Sequence, residues 1–183
     1  MYQRAFMQSG LLDKITSLQN PKVKQVMRLR CKRERDKTNR FLIEGYRELL
    51  RALASKTQLE VLLICNDLFL QNHENKLIDQ WKARGAIVIE CTTNVFEKMS
   101  YRDRADGLIA IAKPHVLTLE DLQLKENPLF VVAVSIEKPG NLGTILRSAD
   151  AVGADATIVV DKVTDIYNPN VVRASVGTLF TQP

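Results

Sequence analysis

The 183-residue chain lacks the residue patterns of several common site types. Its three cysteines, Cys31, Cys65 and Cys91, include no Cys-x-x-Cys pair, so neither a zinc knuckle nor a dithiol redox motif is indicated. Only two histidines are present, His73 and His115, and neither has a carboxylate or cysteine partner at metal-ligand spacing. We therefore expect no metal site, reduced structural cysteines and surface histidines.

Long apolar runs and phosphate-binding glycine loops are also missing. No stretch of 18 apolar residues occurs, which argues against a transmembrane helix, and the first residues lack the apolar centre of a secretion signal. No Walker A loop, dinucleotide-binding glycine pattern or Ser-His-Asp arrangement stands out. The hydrophobic fraction of 45% and the charged fraction of 26% are typical of a soluble globular protein, and we expect a cytoplasmic location.

Positive charge is present and unevenly distributed. The net charge is +5, yet residues 128–183 carry four basic and five acidic side chains, so the excess lies in the first 127 residues. Nine basic side chains against two acidic ones fall between Lys22 and Arg40. This density favours contact with a polyanion, because neutralised phosphates release counterions; the alternative is an ordinary solvated helix face. The candidate RNA-binding residues of this segment are Lys22, Lys24, Arg28, Arg30, Lys32, Arg33, Arg35 and Arg40.

Alternating helix and strand patterns predict an α/β fold. After a turn at Asn20-Pro21, one basic helix is predicted from Lys22 to about Lys37. Further along, amphipathic helices alternate with short apolar strands, which indicates a layered sheet domain. The predicted organisation is a tail over 1–14, an RNA-binding domain over 15–112, a proline-bounded linker over 113–128 and a second domain over 129–183.

The most informative segment lies at the start of the second domain. The apolar run Leu129–Ile136 predicts a buried strand, followed by a turn, a helix and a second strand at Ala156–Val160. Arg147 projects about 140° from Leu142 at ~100° per residue, so it lies opposite the apolar stripe of that helix. An arginine in this position is well placed to hold a phosphate or a developing oxyanion.

Several separated motifs carry a family resemblance. One is Asn141-x-Gly143-x-x-x-Arg147, and another is the downstream run Tyr167–Gly177, which contains Asn-Pro-Asn and Arg-Ala-Ser-Val-Gly. Together they resemble the SpoU (TrmH-type) branch of the SPOUT RNA methyltransferases. The segments Ile15–Lys24 and Phe41–Glu48 resemble that family's substrate-binding domain. The resemblance therefore runs from about Ile15 to the last residue.

The resemblance implies a function and an architecture. The function is S-adenosylmethionine-dependent 2′-O-ribose methylation of structured RNA, in particular ribosomal RNA, by a homodimer. The architecture is a small α/β domain of ribosomal-protein type joined to the first part of a SPOUT α/β-knot domain. Asn141 and Arg147 would lie at the catalytic centre. Because an arginine resists deprotonation, we favour a phosphate clamp that also stabilises charge on the 2′-oxygen over a general base.

Other residues of the second domain are weaker candidates. Glu137 would orient RNA or Arg147, Gly143 would allow close backbone approach, and Arg173 would meet an RNA phosphate. Ser175 and Gly177 would support the active centre, or would only permit tight helix packing. For Arg147 the corresponding alternative is a surface arginine paired with a neighbour such as Asp150.

The resemblance also implies that parts of the enzyme are missing. Proteins of this family continue with a Gly-x-Glu loop and a segment rich in Pro, Met, Ser, Leu and Asn, which form the knot and most of the cofactor pocket. We therefore expect cofactor-binding residues beyond Pro183, and an inactive fragment with little affinity for S-adenosylmethionine. The rival interpretation is a non-catalytic RNA-binding protein of ribosomal-protein type, built on the basic helix and the first sheet.

Overall fold

A computed structural model describes residues 14–115, 117–123, 125–161 and 163–183. The predicted tail, residues 1–14, lies outside this range except for Lys14, whose ammonium pairs with Glu90 at 2.7 Å. No helix in the described part of the chain has the length and apolar character needed to cross a membrane.

The described residues form helices and strands in alternation, as the sequence predicts. The helices are α1 Pro21–Leu29, α2 Lys32–Thr38, α3 Tyr46–Leu53, α4 Glu74–Ala83, α5 Thr93–Met99, α6 Pro139–Ala151 and α7 Pro169–Ser175. The strands are β1 Phe41–Glu44, β2 Gln58–Ile64, β3 Ile87–Glu90, β4 Leu108–Lys113, β5 Phe130–Val134 and β6 Ala156–Val160.

The first sheet has the strand order β1-β4-β2-β3 and is covered on both faces. Strand β4 runs antiparallel to β1 and β2, whereas β3 pairs parallel to β2. Since successive side chains of a strand point to opposite faces, Val61 and Leu63 join one core and Leu62 joins the other. Helices α1 and α5 cover the first face, and α3 and α4 cover the second.

The single helix predicted over Lys22–Lys37 is wrong, because the chain forms two helices, α1 and α2. Cys31 has the extended conformation φ −89°, ψ 131° between them. The break is fixed by Arg35 of α2, whose Nη1 donates to the carbonyl oxygens of Leu29 (2.9 Å) and Arg30 (2.8 Å). These carbonyls end α1, and Arg35 supplies the donors that a continuing helix would have supplied.

The second sheet is the parallel pair β5–β6, joined by the crossover helix α6. The prediction of a fully buried strand over Leu129–Ile136 is wrong. Ala133 is buried against α6, but Phe130, Val132 and Val134 on the opposite face are exposed. Burial alternates because, among the described residues, helices cover only one face of this sheet.

Helix α7 lies between the two sheets and contributes to both cores. Val172 packs in the core of the first sheet, while the preceding residue, Val171, packs against Leu142 and Leu146 of α6. Tyr167, just before α7, packs against Phe41 of β1 with ring centroids 4.4 Å apart and ring planes tilted by 40°. Helix α7 therefore links the two separate cores, and the domain boundaries predicted from the linker stay a prediction.

Gly143 sets the distance between α6 and α7. A Cβ atom at this position would lie 2.5 Å from the Cβ of Ala174 and 2.8 Å from the backbone nitrogen of Ser175. Since both distances are far inside van der Waals contact, only glycine permits this crossing. Gly140, one turn earlier in the same helix, has no atom within 4 Å of the corresponding position.

We predict that Gly143→Ala lowers the free energy of unfolding by about 1–3 kcal/mol, because overpacking forces the helices apart. Gly140→Ala is the matched control and is expected to lose no stability, since its methyl group enters open space. Urea unfolding followed by circular dichroism measures both. Equal midpoints and slopes for the two variants would contradict the assigned role of Gly143.

Candidate functional site

The two residues of the first motif, Asn141 and Arg147, are both exposed on α6. The helix begins at Pro139, whose missing N–H and fixed φ suit a first helical position. Leu142, Leu146 and Ala149 face the core. Asn141 and Arg147 are separated by about 9 Å along the helix axis at ~1.5 Å per residue. No hydrogen bond joins their side chains among the described residues, so any joint action requires a ligand between them.

The alternative interpretation, in which Arg147 pairs with Asp150 on the surface, does not hold. The carboxylate of Asp150 binds Arg51 of α3 instead, at 3.1 Å. Within the described residues, Arg147 has no ion-pair or hydrogen-bond partner. Its five N–H donors are therefore available to a phosphate or an oxyanion.

Strained backbone marks the carboxyl ends of β5 and β6, next to the start of α6. Ser135 and Asp161 have left-handed φ values of 52° and 50°. The Ser135 hydroxyl lies 3.4 Å from a carboxylate oxygen of Asp161, and the Ser135 N–H donates to the carbonyl of Val160 at 3.1 Å. Open parallel sheets bind ligands at this edge, and such conformations cluster at functional sites. Sequence patterns did not indicate these two residues, because a serine or aspartate with a left-handed backbone has no sequence pattern of its own.

Glu137 lies in the loop between β5 and α6 with an exposed side chain. Its backbone carbonyl accepts a 2.6 Å hydrogen bond from the hydroxyl of Thr164, which is itself buried. The main chain at Glu137 thus fixes the loop, and its carboxylate has no hydrogen-bond or ion-pair partner among the residues that the structure describes.

The candidate residues of the second motif differ in exposure: Arg173 is exposed, whereas Ser175 and Gly177 are packed inside the protein. Arg173 is exposed on α7. Ser175 is fully buried, and its hydroxyl donates to the carbonyl of Val172 at 2.8 Å. Gly177 has φ +86°, and a Cβ there would lie 2.9 Å from the side chain of Arg51. Ser175 and Gly177 therefore occupy the positions that the packing alternative predicts.

Some basic residues of the segment Lys22–Arg40 bind other groups of the protein, and others remain exposed. Arg30 donates to the carbonyls of Met99 and Ser100 and lies over the ring of Tyr101 at 5.6 Å. Arg40 pairs with Glu60 at 2.6 Å. Both are partly occupied by the protein itself. The candidates of this segment that remain exposed on α1 and α2 are Lys24, Arg28, Lys32 and Arg33, with Lys22 half-buried.

Arg35 does not fit an RNA-binding role, and this part of the prediction is corrected. Its side chain is only 4% exposed and pairs with Asp165 at 2.6 Å. The Nε also donates to the same carboxylate at 2.8 Å, in addition to the two Nη1 bonds to α1. A guanidinium held by three acceptor groups in the interior is unavailable to a phosphate, and its charge fixes the fold.

We predict that Arg35→Met destabilises the protein by about 3–5 kcal/mol, because it leaves the half-buried Asp165 and two carbonyls without their donor. Lys32→Met is the matched control, since the Lys32–Asp36 pair is 61% and 58% exposed and worth less than about 1 kcal/mol. Chemical unfolding of both variants measures the difference. Similar losses of stability would show that Arg35 is an ordinary surface cation.

Comparison with known proteins assigns both parts of the chain to described families. Residues 20–110 match a family described as the MRM3-like substrate binding domain. Residues 128–183 match the SpoU rRNA Methylase family. The matched segments flank the region that the sequence predicts as a linker.

Individual relatives agree with these families. The 23S rRNA (guanosine(2553)-2'-O)-methyltransferase RlmP of Bacillus subtilis is 29% identical over 172 residues, covering 94% of this chain and 64% of the relative. A structure of an AdoMet-bound rRNA methyltransferase from Sinorhizobium meliloti is 32% identical with a TM-score of 0.82, covering 93% of this chain and 62% of that one. An RNA 2'-O ribose methyltransferase structure is 41% identical with a TM-score of 0.78, covering 92% and 63%. The chain thus spans a little under two thirds of the length of these proteins.

Proposed function

Because the chain belongs to the SpoU branch of the SPOUT RNA methyltransferases, we propose that it serves the S-adenosylmethionine-dependent 2′-O-methylation of ribosomal RNA. The observation that carries this proposal is the exposed guanidinium of Arg147, which has no ion pair or hydrogen bond among the described residues. The relatives' names, which specify rRNA and a ribose 2′-oxygen, support the same substrate class.

The proposed role of Arg147 follows from the chemistry of the ribose. A 2′-hydroxyl is a poor nucleophile, because its proton is hard to remove and negative charge develops on the oxygen as it attacks. A guanidinium that binds the neighbouring phosphate through two parallel hydrogen bonds holds the ribose in place and stabilises that charge. Asn141, in the first turn of the same helix, offers an amide that donates and accepts at the opposite side of the ribose.

RNA would reach this site through the basic residues of α1 and α2. Lys24, Arg28, Lys32 and Arg33 are exposed cations on a segment whose contribution to binding is electrostatic and independent of RNA sequence. Base-specific contacts must then come from other parts of the surface. The non-catalytic RNA-binding alternative shares this basic segment and differs only in giving Arg147 no role.

S-adenosylmethionine would supply the methyl group. Neither Asn141 nor Arg147 lines any of five clefts found among the described residues. We therefore propose that residues 1–183 alone do not transfer methyl groups. We also propose a cytoplasmic homodimer formed through residues 129–183, on the strength of the family resemblance and of a bacterial relative.

We predict that Arg147→Ala in the full-length protein lowers the rate of methyl transfer to an rRNA fragment by about 100- to 1,000-fold. RNA affinity is expected to change far less, because many other phosphate contacts remain. Transfer of a radiolabelled methyl group and an RNA-binding titration measure the two quantities separately.

The controls for this experiment lie on the same helix. Ser148→Ala, at the exposed neighbouring position, should leave the rate unchanged. Arg147→Lys should recover only part of it, because lysine keeps the charge and loses the two-pronged geometry. Near-normal turnover of Arg147→Ala with normal RNA affinity would refute the assignment and favour the binding-protein alternative.

We further predict that isothermal titration calorimetry of the 183-residue chain with S-adenosylmethionine detects no saturable binding at concentrations up to about 1 mM. At that limit the binding free energy would be weaker than about −4 kcal/mol. The full-length protein under the same conditions is the positive control. Robust binding to the 183-residue chain would overturn the proposal that its residues lack a complete cofactor pocket.

A further inference from the structure

A cleft of about 830 Å³ opens between α3, the start of α4, the loop over 102–106 and α7. We call it the α3–α7 cleft. Its volume lies in the ~300–1,000 Å³ range of sites that bind small molecules or single nucleotides. It is separate from the Arg147 site, although Arg173, one of its lining residues, directly precedes Ala174, on which Gly143 of α6 packs.

Charge is segregated within this cleft. Three of its lining residues, Arg47, Arg104 and Arg173, are exposed and have no ion pair among the described residues. One exposed carboxylate, Asp103, lies with them. The other acidic lining residues are buried, with exposed fractions of 4% for Glu48, 3% for Glu74 and 7% for Asp106. The rim is thus mainly cationic and the floor is acidic.

Arg102 neutralises part of the floor and holds it rigid. Its Nη2 lies 2.7 Å from Glu48 Oε1 and donates to the carbonyl of Glu44 at 2.7 Å. Its Nη1 lies 3.6 Å from Asp106 Oδ2, which also accepts the N–H of Tyr46 at 3.0 Å. This network joins α3 to the loop over 102–106.

Within the described part of the chain, no cation pairs with Glu74. Its Oε1 accepts the N–H groups of Leu70 (3.1 Å) and Gln71 (3.0 Å). Its Oε2 is buried and has no hydrogen-bond partner among the described residues, and the same holds for Oε2 of Glu48. Buried acceptors are rarely left unpaired, since each one loses its hydration without compensation. In the same part of the chain, Oδ1 of Asp106 is a third unpaired acceptor of the cleft lining, and Nε of Arg102 is one unpaired donor. The unpaired acceptors outnumber the unpaired donor, so a ligand that brings hydrogen-bond donors would satisfy them.

The chemistry of these groups selects one kind of nucleotide. Carboxylate oxygens only accept hydrogen bonds, so they favour a base edge that presents neighbouring donors. Guanine does so with its ring N1–H and its N2 amino group, whereas uracil flanks its single N–H with two carbonyl oxygens. Exposed arginines suit the phosphates on either side, and the half-buried ring of Tyr46 offers a surface for base stacking.

We propose that the α3–α7 cleft binds one unpaired guanine nucleotide of the RNA substrate. Arg47, Arg104 and Arg173 contact its phosphates, and Glu74 accepts hydrogen bonds from its base. This inference rests on the proposed function in assuming an RNA substrate. It adds a site that reads the base of a nucleotide, where the basic helices only contact the backbone. Because Arg173 lines the cleft and directly precedes Ala174, a nucleotide bound to Arg173 would lie near the α6–α7 crossing.

The test compares three fluorescein-labelled RNA hairpins, which carry one bulged guanosine, one bulged uridine or no bulge. Fluorescence anisotropy with the 183-residue chain is expected to give a dissociation constant for the guanosine hairpin at least about 10-fold below the other two. Glu74→Gln, whose amide keeps one oxygen acceptor for the loop N–H groups, should remove most of this preference and leave binding of the uridine hairpin unchanged.

Arg47→Ala combined with Arg104→Ala tests the rim. It should weaken binding of both bulged hairpins and reduce the slope of log affinity against log salt by about two. Lys76→Ala combined with Lys82→Ala is the matched control, since it removes two exposed cations of α4 that do not line the cleft. If Glu74→Gln fails to fold, the double variant Arg47→Ala/Arg104→Ala tests the proposal instead. This variant is expected to fold, because neither arginine side chain has a hydrogen-bond partner among the described residues.

Three results would overturn the inference, and they differ in what they imply. Equal affinity for all three hairpins, or an arginine pair that binds like the lysine pair, rejects the cleft and leaves RNA binding through α1 and α2 in place. Failure of the chain to bind any of the hairpins rejects both the cleft and the proposed function.

Discussion

One buried guanidinium organises the junction on which the described structure depends. Arg35 ends α1 by donating to its last carbonyls and holds Asp165, close to the start of α7, at 2.6 Å. The same side chain therefore sets the direction of the basic helices and the attachment of the second unit. A charge of this kind is expensive to bury unless every donor is used. Four of its five N–H donors are used, in hydrogen bonds to three acceptor groups.

Around this junction, α7 connects two surfaces with different proposed tasks. Its residues Val171 and Val172 point into two cores, so the first sheet and the β5–β6 pair cannot be displaced independently. Arg173 on the same helix lines the α3–α7 cleft, while α6 carries the exposed Arg147 one turn after its contact with α7 at Gly143. In the proposed function, RNA bound by α1 and α2 would contact both the α3–α7 cleft, through one base, and Arg147, through one ribose. Helix α7 joins the two parts of the protein that carry these sites.

Sequence periodicity predicted most of the fold, because amphipathic helices and short apolar strands are local patterns. The α/β class, the strand at Ala156–Val160 and the exposure of Arg147 follow from it directly. Two predictions failed for non-local reasons. The break between α1 and α2 depends on a tertiary contact of Arg35, and the half-exposed β5 depends on which helices lie over it.

The candidate site was predicted unevenly. Motif resemblance indicated Asn141, Arg147 and Arg173, but a count of basic residues could not separate the exposed Arg33 from the buried Arg35. The α3–α7 cleft could not be predicted, because Arg47, Arg104 and Arg173 are far apart in the chain and carry no common spacing. Only the folded arrangement brings them together above the acidic residues.

The contact at Gly143 has a mechanical consequence. Most packed helices meet through longer side chains, which hold the two helix axes about 8–10 Å apart. Here the backbone of α6 rests almost directly on that of α7, with only the methyl group of Ala174 between them. A force applied to α7 by a bound polynucleotide would thus reach the arginine-bearing helix with little slack. A displacement of α7 would therefore be transmitted to α6 through the main-chain contact at Gly143.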